Sequence, residues 1–117
     1  MQANHDAPYA HTALAFAQHL VAGRFDDAHS LLSAEVQKDL GPEALAAEYE
    51  TMTSYADSGA DHIELMATME SWPDRRKGDL GWAYVSISGD DFAEAVTVVV
   101  HDCAGVPRIR LVEWGRP

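Results

Sequence analysis

The apolar residues of this chain change their spacing once, near His62, and that single change divides the fold into two layers. Before it they recur every three or four positions, the period of an α-helix. After it they alternate, the period of a β-strand. Residues 1–60 therefore read as a helical layer and residues 61–117 as an antiparallel sheet packed on it. A length of 117 residues, 47% of them hydrophobic, suits one domain with one core.

Within the helical layer, Asp6-Ala7-Pro8 predicts a helix start, because an aspartate caps free backbone N–H groups and proline fits the first turn. Ala10, Ala13, Leu14, Ala17, Leu20 and Val21 form one stripe, and Gly23 predicts the end of the helix. A shorter helix is expected from Phe25 to Leu32, with Asp26 and Asp27 in its first turn, followed by one or two further helical turns over Ser33–Leu40. Gly41-Pro42-Glu43 restarts the pattern. Leu45, Tyr49, Met52 and Ala56 share a face of a third helix that Gly59 is expected to stop.

Four strands are expected after that. Ile63, Leu65, Ala67 and Met69 alternate with His62, Glu64, Met66, Thr68 and Glu70 in the first, and Trp82–Ser88 forms the second. Ser88-Gly89-Asp90-Asp91 predicts a tight antiparallel hairpin into a third strand, Ala93–His101. Its run Val96-Thr97-Val98-Val99-Val100 barely alternates, the mark of a central strand covered on both faces. The last strand spans Arg108–Trp114. The expected fold class is α+β, three helices on a curved four-stranded antiparallel sheet.

Charge narrows the function classes. The chain carries a formal net charge of −11, which argues against phosphate-backbone binding and against an anionic membrane surface. The imbalance is local: residues 1–70 hold twelve acids against two bases, whereas residues 71–117 hold seven against six. No apolar run approaches the ~20 residues that span a bilayer, and the opening Met-Gln-Ala-Asn-His-Asp lacks a signal-peptide layout, so a cytoplasmic protein is expected. The single cysteine, Cys103, excludes an intrachain disulfide and a thiolate cluster from this chain alone. Six histidines are present but none has metal-ligand spacing, so neither a metal nor another cofactor is expected.

The pattern Ala13-x-x-Phe16-x-x-x-Leu20-x-x-Gly23-x-Phe25-x-x-Ala28-x-x-Leu31-Leu32, followed by an antiparallel sheet, resembles the nuclear-transport-factor-two-like superfamily over nearly the whole chain. The resemblance implies a cone, with the sheet wrapped around the helices and a ligand or active site at its mouth. The superfamily includes isomerase-like and cyclase-like enzymes, dehydratases, transport adaptors and bacterial immunity proteins, so the fold alone does not select among them.

Two functional readings follow. In the first, the chain is a non-enzymatic binding module, of the kind of an immunity-type inhibitor or adaptor, that occludes a basic protein such as a toxin. Asp26, Asp27, Glu43 and Glu48 then supply a steering field, and Trp82, Tyr84, Arg110 and Trp114 supply an aromatic and basic outer sheet face suited to a protein partner or a second copy. The same acids also read as a solvated surface, and the aromatics also read as lining the cone. In the second, the chain is a small-molecule binder or an isomerase-like or cyclase-like enzyme. Glu113 shares strand parity with Ile109 and Leu111, so it is the candidate base facing the cavity, with His101 as helper and Tyr49, Tyr55 or Trp82 shaping the pocket. Glu113 at the sheet margin and His101 at a strand end also have plain structural readings. The basic cluster Arg75-Arg76-Lys77 reads as a solvated loop.

Overall fold

A computed structural model describes residues 3–56 and 59–115. The order is α1 (Pro8–Ala22), α2 (Phe25–Ser30), α3 (Ala34–Asp39), α4 (Pro42–Thr53), then β1 (His62–Met69), β2 (Asp79–Gly89), β3 (Phe92–Cys103) and β4 (Val106–Trp114). The strands form one antiparallel meander in the order β1-β2-β3-β4, and the β2–β3 hairpin closes at the Gly89–Phe92 pair as its turn sequence predicts. The fold is α+β, with four helices rather than the three expected.

The extra helix has a cause in the sheet. Ile109 N–H donates to the Leu31 carbonyl and Ser33 N–H donates to the Ile109 carbonyl, both at 2.8 Å, so residues 31–33 bond to the edge of β4 and interrupt the helical run. Ser33 then caps α3, its hydroxyl accepting from the Val36 N–H at 3.4 Å. Two other helix ends also differ from expectation. The N-cap of α1 is Ala7, with no side-chain capping bond, rather than Asp6. Helix α4 stops at Thr53, before Gly59, where Thr53 and Ser54 hydroxyls bond back to the Tyr49 and Thr51 carbonyls and compete with further helical turns.

Helix α1 lies across the sheet on a face of Tyr9, Ala10, Ala13, Phe16, Ala17 and Leu20, all buried. The alanines bring the helix close to the strands, and Gly23, in the left-handed region at φ 75°, turns the chain out of it. The sheet's inner face meets this stripe with Leu65, Ala83, Val85, Ile87, Val96, Val98, Val100 and Ile109. Leu45 of α4 is fully buried, while Tyr49, Met52 and Ala56 pack at the core margin, the face expected for them.

Alternation is broken in both edge strands. A bulge at Met66 moves the register so that Ala67 faces Tyr84 and Thr68 faces Ala83, which turns Thr68 inward and Ala67 outward. In β4, Leu111 pairs with Val99 and Ile109 with Val100, leaving Arg110 without a cross-strand partner. From that point, parity is reversed: Val112 and Trp114 pack on the core, and Leu111 and Glu113 face away from the helices. The expectations that Glu113 faces the helices and Trp114 the outer side are thus both overturned, by one inserted residue. Among the described residues, no helix is long and apolar enough to cross a membrane.

Where β2 passes under α1, Gly81 leaves no room for a side chain, because a Cβ there would overlap the Tyr9 ring. Gly81→Ala is expected to cost about 1–3 kcal/mol in urea unfolding. Combining it with Tyr9→Ala, which opens the space, should cost less than the sum of the two single changes. Additive costs would show that the two residues do not press on each other.

Candidate functional site

The helix-free side of the sheet gathers the polar chemistry of the chain around one buried acid. Asp79 opens β2, and its side chain has 0% exposure. A carboxylate in that position needs its charge and lone pairs met within the protein. Arg110 supplies a two-pronged pair, Nε to Oδ1 and Nη2 to Oδ2, each at 2.6 Å. The Arg76 backbone N–H donates to Oδ2 at 2.8 Å, and Nδ1 of His101 lies 2.8 Å from Oδ1, the geometry of a ring N–H donating to a carboxylate. Arg75 Nη2 adds a bond to the Asp79 carbonyl at 2.9 Å. Burial alone would raise the Asp79 pKa, but the bonds from Arg110, Arg76 and His101 and the guanidinium charge outweigh it and hold the carboxyl well below the usual range. Arg110 is shifted the other way, above its ordinary value, chiefly by its bonds to Asp79.

Two open cavities flank this cluster. The first, about 410 Å³, is lined by Trp72, Arg75, Arg76, Trp82, Val99 and Arg110, with Asp74, Leu111 and Glu113 also on its wall. Val99 is only 1% exposed and sits in register between Trp82 and Leu111, so it forms the floor. The second, about 430 Å³, includes Ser33, Lys77, His101 and Cys103 and shares Arg76 and Arg110 with the first. Trp82 stands beside Tyr84 with ring centroids 6.4 Å apart and planes 14° from parallel.

The residues expected to act together fall in different places. Glu113 and His101 line separate cavities, Glu113 the first and His101 the second, and His101 is bonded to Asp79 instead. Tyr49 lines a third cavity, about 390 Å³, on the helical side with Val21 and Phe92, and burial raises its phenol pKa. Tyr55 is 55% exposed, edge-on to Phe92 and bonded to Glu94 at 2.8 Å, so the expected set of Tyr49, Tyr55 and Glu113 forms no common pocket. Tyr55 is displaced because α4 ends before it, and Glu113 by the β4 bulge.

The expected partner surface also divides. Asp26 and Asp27 on α2 and Glu43 and Glu48 on α4 are exposed in the helical layer, whereas Trp82 and Tyr84 lie on the opposite face of the sheet. Trp114 is not on the outer sheet face: its ring lies 6.5 Å from that of the fully buried Phe16, and it lines a small open cavity beside Glu48 on the helical side. Arg110 is only 14% exposed and is committed to Asp79. Asp57, another acid of the helical half, lies outside the described residues. Among the described residues, no three His, Cys, Asp or Glu side chains are placed to hold a metal ion.

Sequence reasoning missed Asp79; Arg75, Arg76 and Lys77 are exposed in a loop, as expected, but Arg75 and Arg76 also tie that loop to the acid. The side chains that meet its carboxylate, His101 and Arg110, stand 22 and 31 positions away, so no local spacing announces them. The available signal was a lone aspartate at the head of an apolar strand, next to an arginine pair.

Replacing Asp79 by Asn is expected to cost about 3–5 kcal/mol at pH 7 in chemical denaturation, because Arg110 loses its counter-charge in a mostly buried place. The folded carboxyl titrates below its unfolded value, so the contribution is full above about pH 5 and fades as pH falls below that. The gap in stability between wild type and Asp79→Asn should therefore narrow between pH 5 and pH 2. A gap that stays constant, or one below about 1 kcal/mol at pH 7, would contradict the burial and pairing described. Comparison of the chain with family models, with curated proteins and with solved structures yields no match.

Proposed function

We propose that the chain is a non-enzymatic binding module, of the kind of an immunity-type inhibitor or adaptor, whose acidic helical layer occludes a basic protein partner. The observation that carries this reading is the joint exposure of Asp26, Asp27, Glu43 and Glu48 on two helices that touch, with the Phe25 and Tyr49 rings 6.2 Å apart. Asp27 has an ion pair to Arg24 at 3.6 Å, a contact between two exposed side chains worth little in water, so the field of the layer remains negative. Such a field raises the association rate of a cationic partner and repels a second copy of the same face, so a foreign partner suits this layer better than self-association.

The underlying architecture is proposed to be the nuclear-transport-factor-two-like cone. Support comes from the 15-residue α1 lying across the sheet and from the bulges in β1 and β4, which bend the edge strands. The separation of Glu113 from His101 weighs against the base-and-helper chemistry of an isomerase. Asp79, the most buried carboxylate of the outer face, is fully engaged by Arg110 and is poorly placed to accept a proton from a substrate.

The test starts with capture of a basic protein from the native host by the tagged chain at low salt. Reversing Asp26, Asp27, Glu43 and Glu48 to lysine should slow its association at least about tenfold and flatten the salt dependence of the on-rate. Glu113→Gln should leave both unchanged. An on-rate indifferent to the four reversals would refute the acidic layer as the docking surface.

A further inference from the structure

The open cavity of about 410 Å³ on the helix-free face is unused by the function proposed above, and its lining combines apolar side chains with charged groups of both signs. Its apolar part is Val99 as floor with the indoles of Trp72 and Trp82, two of the three tryptophans of the chain. Its polar part holds both signs of charge. Three of the eight Lys and Arg residues, Arg75, Arg76 and Arg110, line it in a chain of net charge −11. Asp74 and Glu113 supply carboxylates on the same wall.

Two of the guanidiniums are held in advance of any ligand. Arg110 spends Nε and Nη2 on Asp79, which fixes its head, and Arg75 is tethered by one Nη2 bond to the Asp79 carbonyl; further N–H donors remain on each. Ordering them on binding costs little entropy. Glu113 and the Arg76 guanidinium, in contrast, bond to no other described residue although they line one cavity. Opposite charges thus stand around the Val99 floor and the two tryptophans, with Asp74 acting on Arg110 through its charge and Glu113 in no ion pair among the described residues. With Asp79 counted against Arg110, the three cations and three carboxylates of this region balance, so a ligand of net charge would leave the region unbalanced.

We propose that this cavity is a binding site for a zwitterionic aromatic amino acid. The guanidinium donors take its carboxylate, the carboxylates of Glu113 and Asp74 take its ammonium, and its ring lies against the indoles of Trp72 and Trp82. A doubly charged phosphate fits poorly, because the rim carboxylates would face it. The inference does not rest on the protein partner, which engages the helical layer on the other side.

Calorimetric titration of the full chain with three probes of one ring tests this directly: L-phenylalanine, 3-phenylpropanoate, which lacks the ammonium, and phenethylamine, which lacks the carboxylate. L-Phenylalanine is expected to bind with a Kd below about 1 mM, and each deletion to weaken binding at least about tenfold. Glu113→Gln should weaken L-phenylalanine by a similar factor while leaving 3-phenylpropanoate unchanged, and Arg76→Gln should weaken the carboxylate-bearing probes. Both positions are exposed, so circular dichroism should show the variants folded. Equal binding of either single-charge probe, or no heat from L-phenylalanine at 10 times that concentration, about 10 mM, would overturn the assignment.

Discussion

A carboxylate with 0% exposure is the constraint around which the helix-free side of this protein is arranged. Left alone in the sheet, the Asp79 charge would cost several kcal/mol, so folding must deliver donors to it from wherever the chain can provide them. They come from three places: the backbone of the 72–78 loop, the end of β3 and the bulge of β4. Each donor arrives only if its segment is in register. The acid thus makes the loop, two strand ends and the bulge cooperative, and it separates the two open cavities that share Arg76 and Arg110.

The layers were legible in the sequence because they follow from periodicity. The stripe of α1, the face of α4 bearing Leu45 and Tyr49, the Gly89 hairpin and the central place of Val96–Val100 were all readable from spacing and turn chemistry. What was not legible depends on single inserted residues and distant partners. One bulge at Arg110 exchanges the faces of Glu113 and Trp114, which turned a candidate buried base into an outer-face carboxylate and a candidate outer-face aromatic into a half-buried residue packed against the core. A bulge leaves little mark on hydrophobic alternation when the residues on both sides of it are apolar, as Ile109, Leu111 and Val112 are. That the turns expected over Ser33–Leu40 form a separate helix was hidden for a related reason: the break at 31–33 is fixed by hydrogen bonds to Ile109, far along the chain.

The consequence for function is a molecule with two unlike faces. The helical side exposes Asp26, Asp27, Glu43 and Glu48, which suits long-range attraction of a basic surface. The opposite side concentrates arginine and tryptophan around a preorganised core of ion pairs, which suits short-range recognition of a small ligand. The four-residue acidic set and the aromatic pair of Trp82 and Tyr84 lie on opposite sides of the sheet, so one flat partner cannot cover both. Isomerase-like chemistry would need a base and its helper at one cavity, and here the nearest partner of His101 is Asp79 at 2.8 Å rather than Glu113.

The claim that Asp79 organises this face can be read amide by amide. The Arg76 N–H donates to Asp79 Oδ2, and the Asp102 N–H donates to the Gly78 carbonyl across the same loop, both at 2.8 Å. Native-state hydrogen exchange by NMR in Asp79→Asn, compared with wild type, should show both amides exchanging at least about tenfold faster relative to Val98 in the middle of the sheet. Unchanged protection at Arg76 and Asp102, with Val98 equally unchanged, would mean that the loop and strand ends hold their places without the buried acid, and the account would fail at its centre.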